Sequence, residues 1–487
     1  MTKKYNVISV LTLGVALAAF AVSPVFAGGG DAPAPTQMME PAPPMPEPTP
    51  EPMAMPVMNG QGLSDLTNAV RNGVNTHPRY GIVANSRRAT DEELRQAKAL
   101  YLPSIDARAD YGWEYTKDQG TKSASNADED FMRYDTSLTL TQMLFDGFRT
   151  KYENARQTAR VESASHRVRE TSEFLGLDVV ESYLDVIRQR QLLGISRENI
   201  NQHVEISRQI QDGASAGRST QADVEQSNAR LAAARAQEAS VLQSLRDAES
   251  NYLRNVGEAP GDLQMPGLPG NALSANVDEE VRQSLASSPT LEIYDADIDV
   301  AVAEKEGTSS TMYPEVDFQL NGRNGENLGG VEGRDRSASA LVVANWNLFR
   351  GGADMARTRE FIYRHAQAQE EKSNVTRAIE NDVRQTWAQM VASGERSRQF
   401  EAQATANEQV VSAYMDQFEL DRRTLLDVLD AQNEWFVSRS NMINNQILQM
   451  FAVYRLVALK GQLLPSLNVA YPVEADANSV AGKKSGS

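Results

Sequence analysis

The chain has 487 residues, 41% of them hydrophobic and 23% charged, enough apolar material to bury a core, yet only 7% are aromatic. Its formal net charge of −17 repels a phosphate backbone and excludes nucleic acid as a partner. It has no cysteine, which excludes disulfides, thiolate chemistry, cysteine-ligated zinc and lipidation on an N-terminal cysteine.

Residues 1–27 read as a secretory signal peptide. Lys3 and Lys4 form a basic start, an apolar run follows from Val7 to Val22, and Val25-Phe26-Ala27 is a small-residue cleavage site. No later stretch approaches the roughly 18 consecutive apolar residues of a spanning helix. An exported chain without such a helix can cross a membrane only as a β-barrel. Residues 28–62 are a Pro-rich linker, and ten of the twenty prolines fall between positions 31 and 60. This composition predicts an extended, disordered segment.

Beyond the linker the chain is duplicated. Leu144-Phe145-Asp146-Gly147 recurs as Leu348-Phe349-Arg350-Gly351, an offset of 204. The same offset pairs Arg218 with Arg422, Thr220 with Thr424, Asp223-Val224 with Asp427-Val428, and Gly257 with Gly461. Upstream, His77-Pro78 pairs with Ser288-Pro289 and Leu102-Pro103 with Tyr313-Pro314 at an offset of 211. The seven extra residues of the first copy fall between Pro103 and Phe145, where a loop absorbs them.

Each copy predicts the same order of elements. A helical segment (63–102, and 277–313 in the second copy) ends at a proline that cannot continue it. A β-hairpin follows over 103–146 and 314–350. In the first, Ile105, Ala107, Ala109, Tyr111, Trp113 and Tyr115 alternate with polar neighbours, a period of two that marks a strand. The strands have about the 9–11 residues that a membrane-spanning strand needs. Tyr111, Trp113, Tyr115 and Trp346 suit the aromatic girdles at membrane interfaces. Phe145 with Gly147, and Phe349 with Gly351, mark the turns from strand into helix.

Then come two stretches, 147–257 and 351–461, without a single proline. Phe174, Leu177, Val180, Leu184 and Ile187 recur at three- and four-residue spacing, the pattern of a packed amphipathic helix. Each stretch breaks once, at Gly213–Gly217 and at Phe418–Arg423. Thr220 with Asp223, and Thr424 with Asp427, are capping signals that restart a helix. The result is two long helical hairpins, joined by a connector at 258–276 and followed by a C-terminal segment and disordered tail over 462–487.

Lengths suggest how the pieces fit. The descending helix spans roughly 100 Å and its return only about 60 Å at about 1.5 Å per residue. The expectation is that segment 277–312 completes the first return helix end to end and that 63–101 completes the second. Four strands cannot close a transmembrane barrel, since the smallest have about eight. The sequence therefore demands at least two copies.

This pattern resembles the TolC family of outer-membrane efflux and type I secretion channels over residues 63–469. The resemblance is carried by the repeated Phe-x-Gly after a strand, by Leu102-Pro103-Ser104, and by the string from Arg423 through Thr424, Asp427, Val428, Leu429, Asp430 and Ala431 to Glu434. It implies a mixed fold: long helical hairpins forming a periplasmic α-barrel, plus four strands per protomer contributing to a trimeric twelve-stranded β-barrel. It implies an outer-membrane location with most of the mass in the periplasm, and as partners two further copies, a periplasmic adaptor, an inner-membrane transporter of the ABC or RND type, and outer-membrane lipid. Asp427 and Asp430 match the acidic pair that lines the family's periplasmic entrance. Asp223, Phe418 and Arg423 match its gate ties, although Phe418 lacks the hydroxyl of the family's tyrosine, which leaves an Asp223–Arg423 ion pair. Type I protein secretion is the closest reading of the cargo, with multidrug efflux as its alternative.

An enzyme is disfavoured. No phosphate loop, paired-histidine motif or nucleophile elbow occurs, no cofactor or metal is implied, and His77, His166, His203 and His365 read as scattered surface histidines. A soluble coiled-coil scaffold or adaptor explains the helices but not four strands of membrane-spanning length.

Overall fold

The computed structural model describes residues 60–117, 119, 130–268, 273–420 and 422–479. The expected signal segment, nearly all of the Pro-rich linker and most of the loop after Tyr115 lie outside these residues. The elements run α1 (Gly60–Thr76), α2 (Pro78–Ala99), β1 (Ser104–Tyr115), β2 (Asp130–Phe145), α3 (Arg149–Ser215) and α4 (Gln221–Val256) in the first repeat. The second has α5 (Val277–Ser287), α6 (Pro289–Gly307), β3 (Glu315–Glu326), β4 (Arg334–Asn345), α7 (Ala353–Glu419) and α8 (Leu425–Leu459), followed by a one-turn helix α9 (Leu463–Ser466).

The segments expected as single helices before each hairpin are each two. His77 and Ser288 are extended, and Pro78 and Pro289 open a fresh helix. The proline ring pushes the preceding residue out of the helical region, while its own fixed φ suits the first helical turn. The long helices α3 and α7 both have 67 residues, about 100 Å of uninterrupted helix. Their packed faces converge on one core where α1, α3, α4 and α8 meet, around the fully buried Val70, Tyr183, Tyr454 and Leu463. The connector after Val256 closes over it. The hydroxyls of Tyr183 and Tyr454 donate to the carbonyls of Gln264 and Gly267.

The end-to-end stacking differs from the expectation. The first return helix α4 ends against the N-terminal segment: Asn72 Nδ2 donates to Glu258, and a Cβ on Gly73 would lie 2.9 Å from the Asn255 carbonyl oxygen. The second return helix α8 ends against the junction of α5 and α6. There Ser287 Oγ donates to the Lys460 carbonyl, Lys460 and Glu280 form an ion pair at 2.8 Å with both side chains buried, and a Cβ on Gly461 would strike Pro289. Each repeat therefore completes its own rod. The two upper segments have nearly equal lengths, so length alone could not assign them.

The C-terminal segment also departs from the sequence reading. Its last eight residues lie outside the described part, but residues 473–479 are held rather than disordered. Glu474 accepts hydrogen bonds from Tyr80 and twice from Arg88, and Arg87 of α2 donates to the Ala477 carbonyl. A polar tail looks unstructured by composition, yet these partners lie almost 400 residues away in sequence. Just upstream, Glu173 of α3 sits 1% exposed and accepts from the backbone amides of Leu463 and Leu464, at 2.9 and 3.3 Å, and from the Tyr471 hydroxyl.

Burial pushes the Glu173 carboxyl up to about 7, against the hydrogen bonds that favour its ionised form. The native state therefore holds a proton that the unfolded chain has released between the ordinary carboxylate range and about pH 7. The stabilisation present at low pH is lost as pH rises through that window. Urea midpoints measured from pH 5 to pH 8 should fall over this window and then level off. Glu173→Gln should flatten the profile, and a slope unchanged in that variant would assign it to another group.

Candidate functional site

Four strands form one antiparallel sheet in the order β1-β2-β3-β4. Because side chains alternate, its two faces differ. Ile105 lies beside Leu140 and Ala107 beside Leu138, and Leu140 continues to Leu320 and then Ala340. Tyr111 beside Tyr134 and Trp113 beside Met132 carry this apolar face to the loop end, and most of it is open to the surroundings. The opposite face is mostly polar: Asp106 lies beside Thr139, Thr139 beside Asn321 and Asn321 beside Ser339, with Leu341 and Val343 as apolar exceptions on β4. Near the loop end Arg133 bonds Asp110 at 2.5 Å and Glu114 at 2.7 Å, and Arg323 holds Asp135 at 2.6 Å. One face suits lipid and the other water, as in a barrel wall. Among the described residues, β1 and β4 are the outer strands of the sheet, each with a neighbouring strand on one side. Among the described residues, no helix is long and apolar enough to cross a membrane.

At the other end of the sheet the chain turns sharply into the long helices. Gly147 has φ +66°, and a Cβ there would lie 2.5 Å from the Ser310 carbonyl oxygen. Gly351 has φ +62° with open space around it. Both adopt the left-handed region that glycine tolerates. Asp146 caps α3 by accepting from the Thr150 amide at 2.7 Å. Phe145 packs edge-to-face on Phe148 and Tyr313, at 5.3 and 6.2 Å between ring centres. Phe349 and Trp346 are 83% and 58% exposed at the equivalent turn.

The hairpin tips lie at the far ends of α3 and α7. Thr220 and Thr424 each form a full capping box. Their hydroxyls accept from the amides of Asp223 and Asp427 at 3.2 and 3.3 Å, and those carboxylates accept back from the threonine amides. Each exchange satisfies orphan amides of a helix start. Hydrogen bonds from Thr220 hold the Asp223 carboxyl below its usual range, and those from Thr424, with Arg423 nearby, do the same for Asp427. Arg423 stacks over the Tyr414 ring, 4.0 Å from its centre, donates to Gln417 and lies 3.7 Å from Asp427. Asp223 and Arg423 thus have separate partners and are not paired within the protomer. Phe418 packs on a cluster of Ile206, Ile210, Leu425, Val428 and Leu429, which joins the tips of both hairpins.

Asp430 is not free. Arg230 of α4 donates to it at 3.0 Å. Above that pair, Gln432 donates to Gln202 and Arg439 bonds Glu198 at 2.7 Å. Sequence reasoning missed these cross-links, although residues 198, 202, 206 and 210 recur at four-residue spacing on one helix face. It also misplaced His203, which is 6% exposed among packed helices rather than at the surface, with its imidazole pushed below the ordinary value by burial. His77 caps α2 by accepting from the Arg79 amide. No group of side chains able to hold a metal ion occurs among the described residues.

Known proteins share this arrangement. The sequence pattern of outer membrane efflux proteins matches residues 83–257 and 281–462, most of both repeats. The chain belongs to the outer membrane efflux protein family. Among its family relatives, outer membrane efflux protein BepC of Brucella suis is 24% identical over 381 residues, covering 77% of this chain and 80% of BepC. The proteases secretion protein PrtF of Dickeya chrysanthemi is 24% identical over 373 residues, covering 73% and 79%. The outer membrane protein VceC of Vibrio cholerae superposes with a TM-score of 0.69 at 14% identity, covering 84% of this chain and 97% of VceC. The family fold is thus present in full: a small membrane sheet on long helical rods, with the bulk of the protein on the periplasmic side of the outer membrane.

Losing a threonine cap typically costs about 1 kcal/mol, roughly a fivefold change in a local opening equilibrium. Thr424→Ala should therefore speed hydrogen exchange at the amides of residues 425–428 by about that factor, with Thr220→Ala doing the same at 221–224. Exchange rates that stay at wild-type values would show that the boxes carry no stability at the tips.

Proposed function

We propose that three copies of this chain assemble into one duct through which a tripartite system exports protein cargo. The observation that carries the reading is the sheet: four strands, one apolar and one polar face, and, among the described residues, two outer strands with a neighbour on one side only. Unpaired backbone groups cost several kcal/mol each in hydrocarbon, so β4 of one copy must pair with β1 of the next. Three such sheets give the twelve strands of a closed barrel. The rods then continue the passage into the periplasm, where a periplasmic adaptor joins it to an inner-membrane transporter. The work is transport, with no bond made or broken in the cargo.

Type I protein secretion is favoured for the cargo. Both the string from Arg423 to Glu434 and the names of two relatives, the proteases secretion protein PrtF and the alkaline protease secretion protein AprF, point that way. At the tips Asp427 and Asp430 lie three residues apart on one side of α8, so three copies place rings of carboxylates around the periplasmic entrance. Such rings attract cations and resist anions.

Two experiments test this. Deleting the gene should remove specific proteins from the culture medium while leaving drug sensitivity near wild type. The reverse outcome would make the chain the outlet of a multidrug pump. In planar bilayers, Asp427→Ala with Asp430→Ala should weaken block by multivalent cations added from the periplasmic side. Block of wild-type strength in that double variant would remove the carboxylate rings from the entrance.

A further inference from the structure

The apolar face of the sheet changes character along its length. Toward the helices its rows of facing residues, such as Ile105, Leu140, Leu320 and Ala340, carry no charge. Charge begins only toward the loop end. There Arg336 of β4 shares a row with Asn324 and Thr136, and Arg334 shares the next with Glu326 and Tyr134. The Tyr134 row continues to Tyr111, where the aromatic girdle starts.

An arginine on a lipid-facing strand is costly at the bilayer midplane and nearly free at the interface. Arg334 and Arg336 therefore mark the level of the lipid headgroups. The rods lie on the periplasmic side, so that level belongs to the outer leaflet. Two positions apart on one strand, the two side chains leave the same face about 7 Å from each other.

The arginines of the two faces differ in their partners. On the polar face Arg133 and Arg323 are held by carboxylates. On the apolar face Arg334 and Arg336 are exposed, and among the described residues neither forms an ion pair. Glu326 lies opposite Arg334 in register without bonding it. Arg336 Nε donates to Asn324 Oδ1 at 3.0 Å, which orients the guanidinium and leaves both terminal nitrogens to donate elsewhere.

The loop joining β3 to β4 leaves this pair open, because it folds over the other face. The Gly329 amide donates to Glu114, and a Cβ on Gly325 would lie 2.6 Å from Leu328 Cδ1. In the proposed trimer the next strand along is β1 of another copy. Its apolar face, from Ile105 to Tyr115, brings rings and methyl groups but no carboxylate. The missing anion must come from the surroundings, and a forked guanidinium fits phosphate through paired hydrogen bonds.

We propose that Arg334 and Arg336 bind the phosphate groups of an outer-leaflet glycolipid, lipopolysaccharide, at the loop end of the lipid-facing sheet. This rests on the trimeric barrel reading above and adds the lipid chemistry that the wall recognises.

The full chain in detergent would be titrated with diphosphoryl lipid A and with lipid A stripped of both phosphates, counting bound lipid by native mass spectrometry. Wild-type protein should bind the phosphorylated form about tenfold more tightly. Arg334→Gln with Arg336→Gln should erase that preference. Arg334→Lys with Arg336→Lys should keep most of it, which assigns the loss to charge rather than to misfolding. Arg108→Gln, on the polar face, should bind as wild type does. The proposal is overturned if wild type binds both lipids equally, if the glutamine variant keeps the preference, or if Arg108→Gln loses it. A trimer that binds both lipids equally defeats this proposal alone. A wild-type protein that runs as a monomer in the same detergent defeats the trimeric reading and this proposal with it.

Discussion

A β-sheet in hydrocarbon has no water to satisfy its backbone, and the rest of this molecule is arranged around that constraint. The sheet of β1–β4 has every internal ladder paired and, among the described residues, a neighbour on only one side of each outer strand. Its apolar face excludes burial in water, and its polar face excludes burial in lipid. The only arrangement that satisfies both faces and both edges is a closed cylinder. Four strands are too few, so in the proposed trimer closure passes to neighbouring copies and the helices below follow the same symmetry.

The sheet dictates the rods through two tight turns. Gly147 and Gly351 let the chain leave the membrane wall and enter a helix at once, with φ values that other residues adopt only at a cost. From there 67 residues of helix run without a proline. Each rod is thickened at its lower half by its return helix and at its upper half by the segment preceding the hairpin. The joints lie at one level, where the connector, α9 and the C-terminal strap wrap the core. Buried charged groups lie there, Glu173 under the C-terminal segment and the Lys460–Glu280 pair at the α8 joint. Each is answered by partners from another element, as burial of a charge requires.

At the far end, the tips combine stiffness with polarity. Capping boxes at Thr220 and Thr424 start the return helices cleanly, and the apolar cluster around Val428 knits four helix ends together. The same short stretch of α8 supplies a cap through Asp427 and an inter-hairpin tie through Asp430. One local sequence thus serves the integrity of the tip and the charge of the proposed entrance.

Much of this was legible in the residues themselves. Alternation of Ile105 through Tyr115 set the strands and their faces, the proline-free stretches set the long helices, and the Thr-x-x-Asp pairs set the capping boxes. All are governed by neighbours within a few positions, where backbone geometry acts directly. The duplication revealed the two-fold plan, because equal offsets over long distances need no structure to be seen. Tertiary structure alone decided which upper segment completes which rod, since two pieces of similar length fit either place until their ends meet particular residues. It also decided that a polar C-terminal stretch is held by Arg87, Arg88 and Tyr80, that His203 is buried, and that Asp430 answers to Arg230 while Asp223 and Arg423 look elsewhere. Such pairings depend on how helices rotate and stack across hundreds of residues, and no local pattern encodes that geometry.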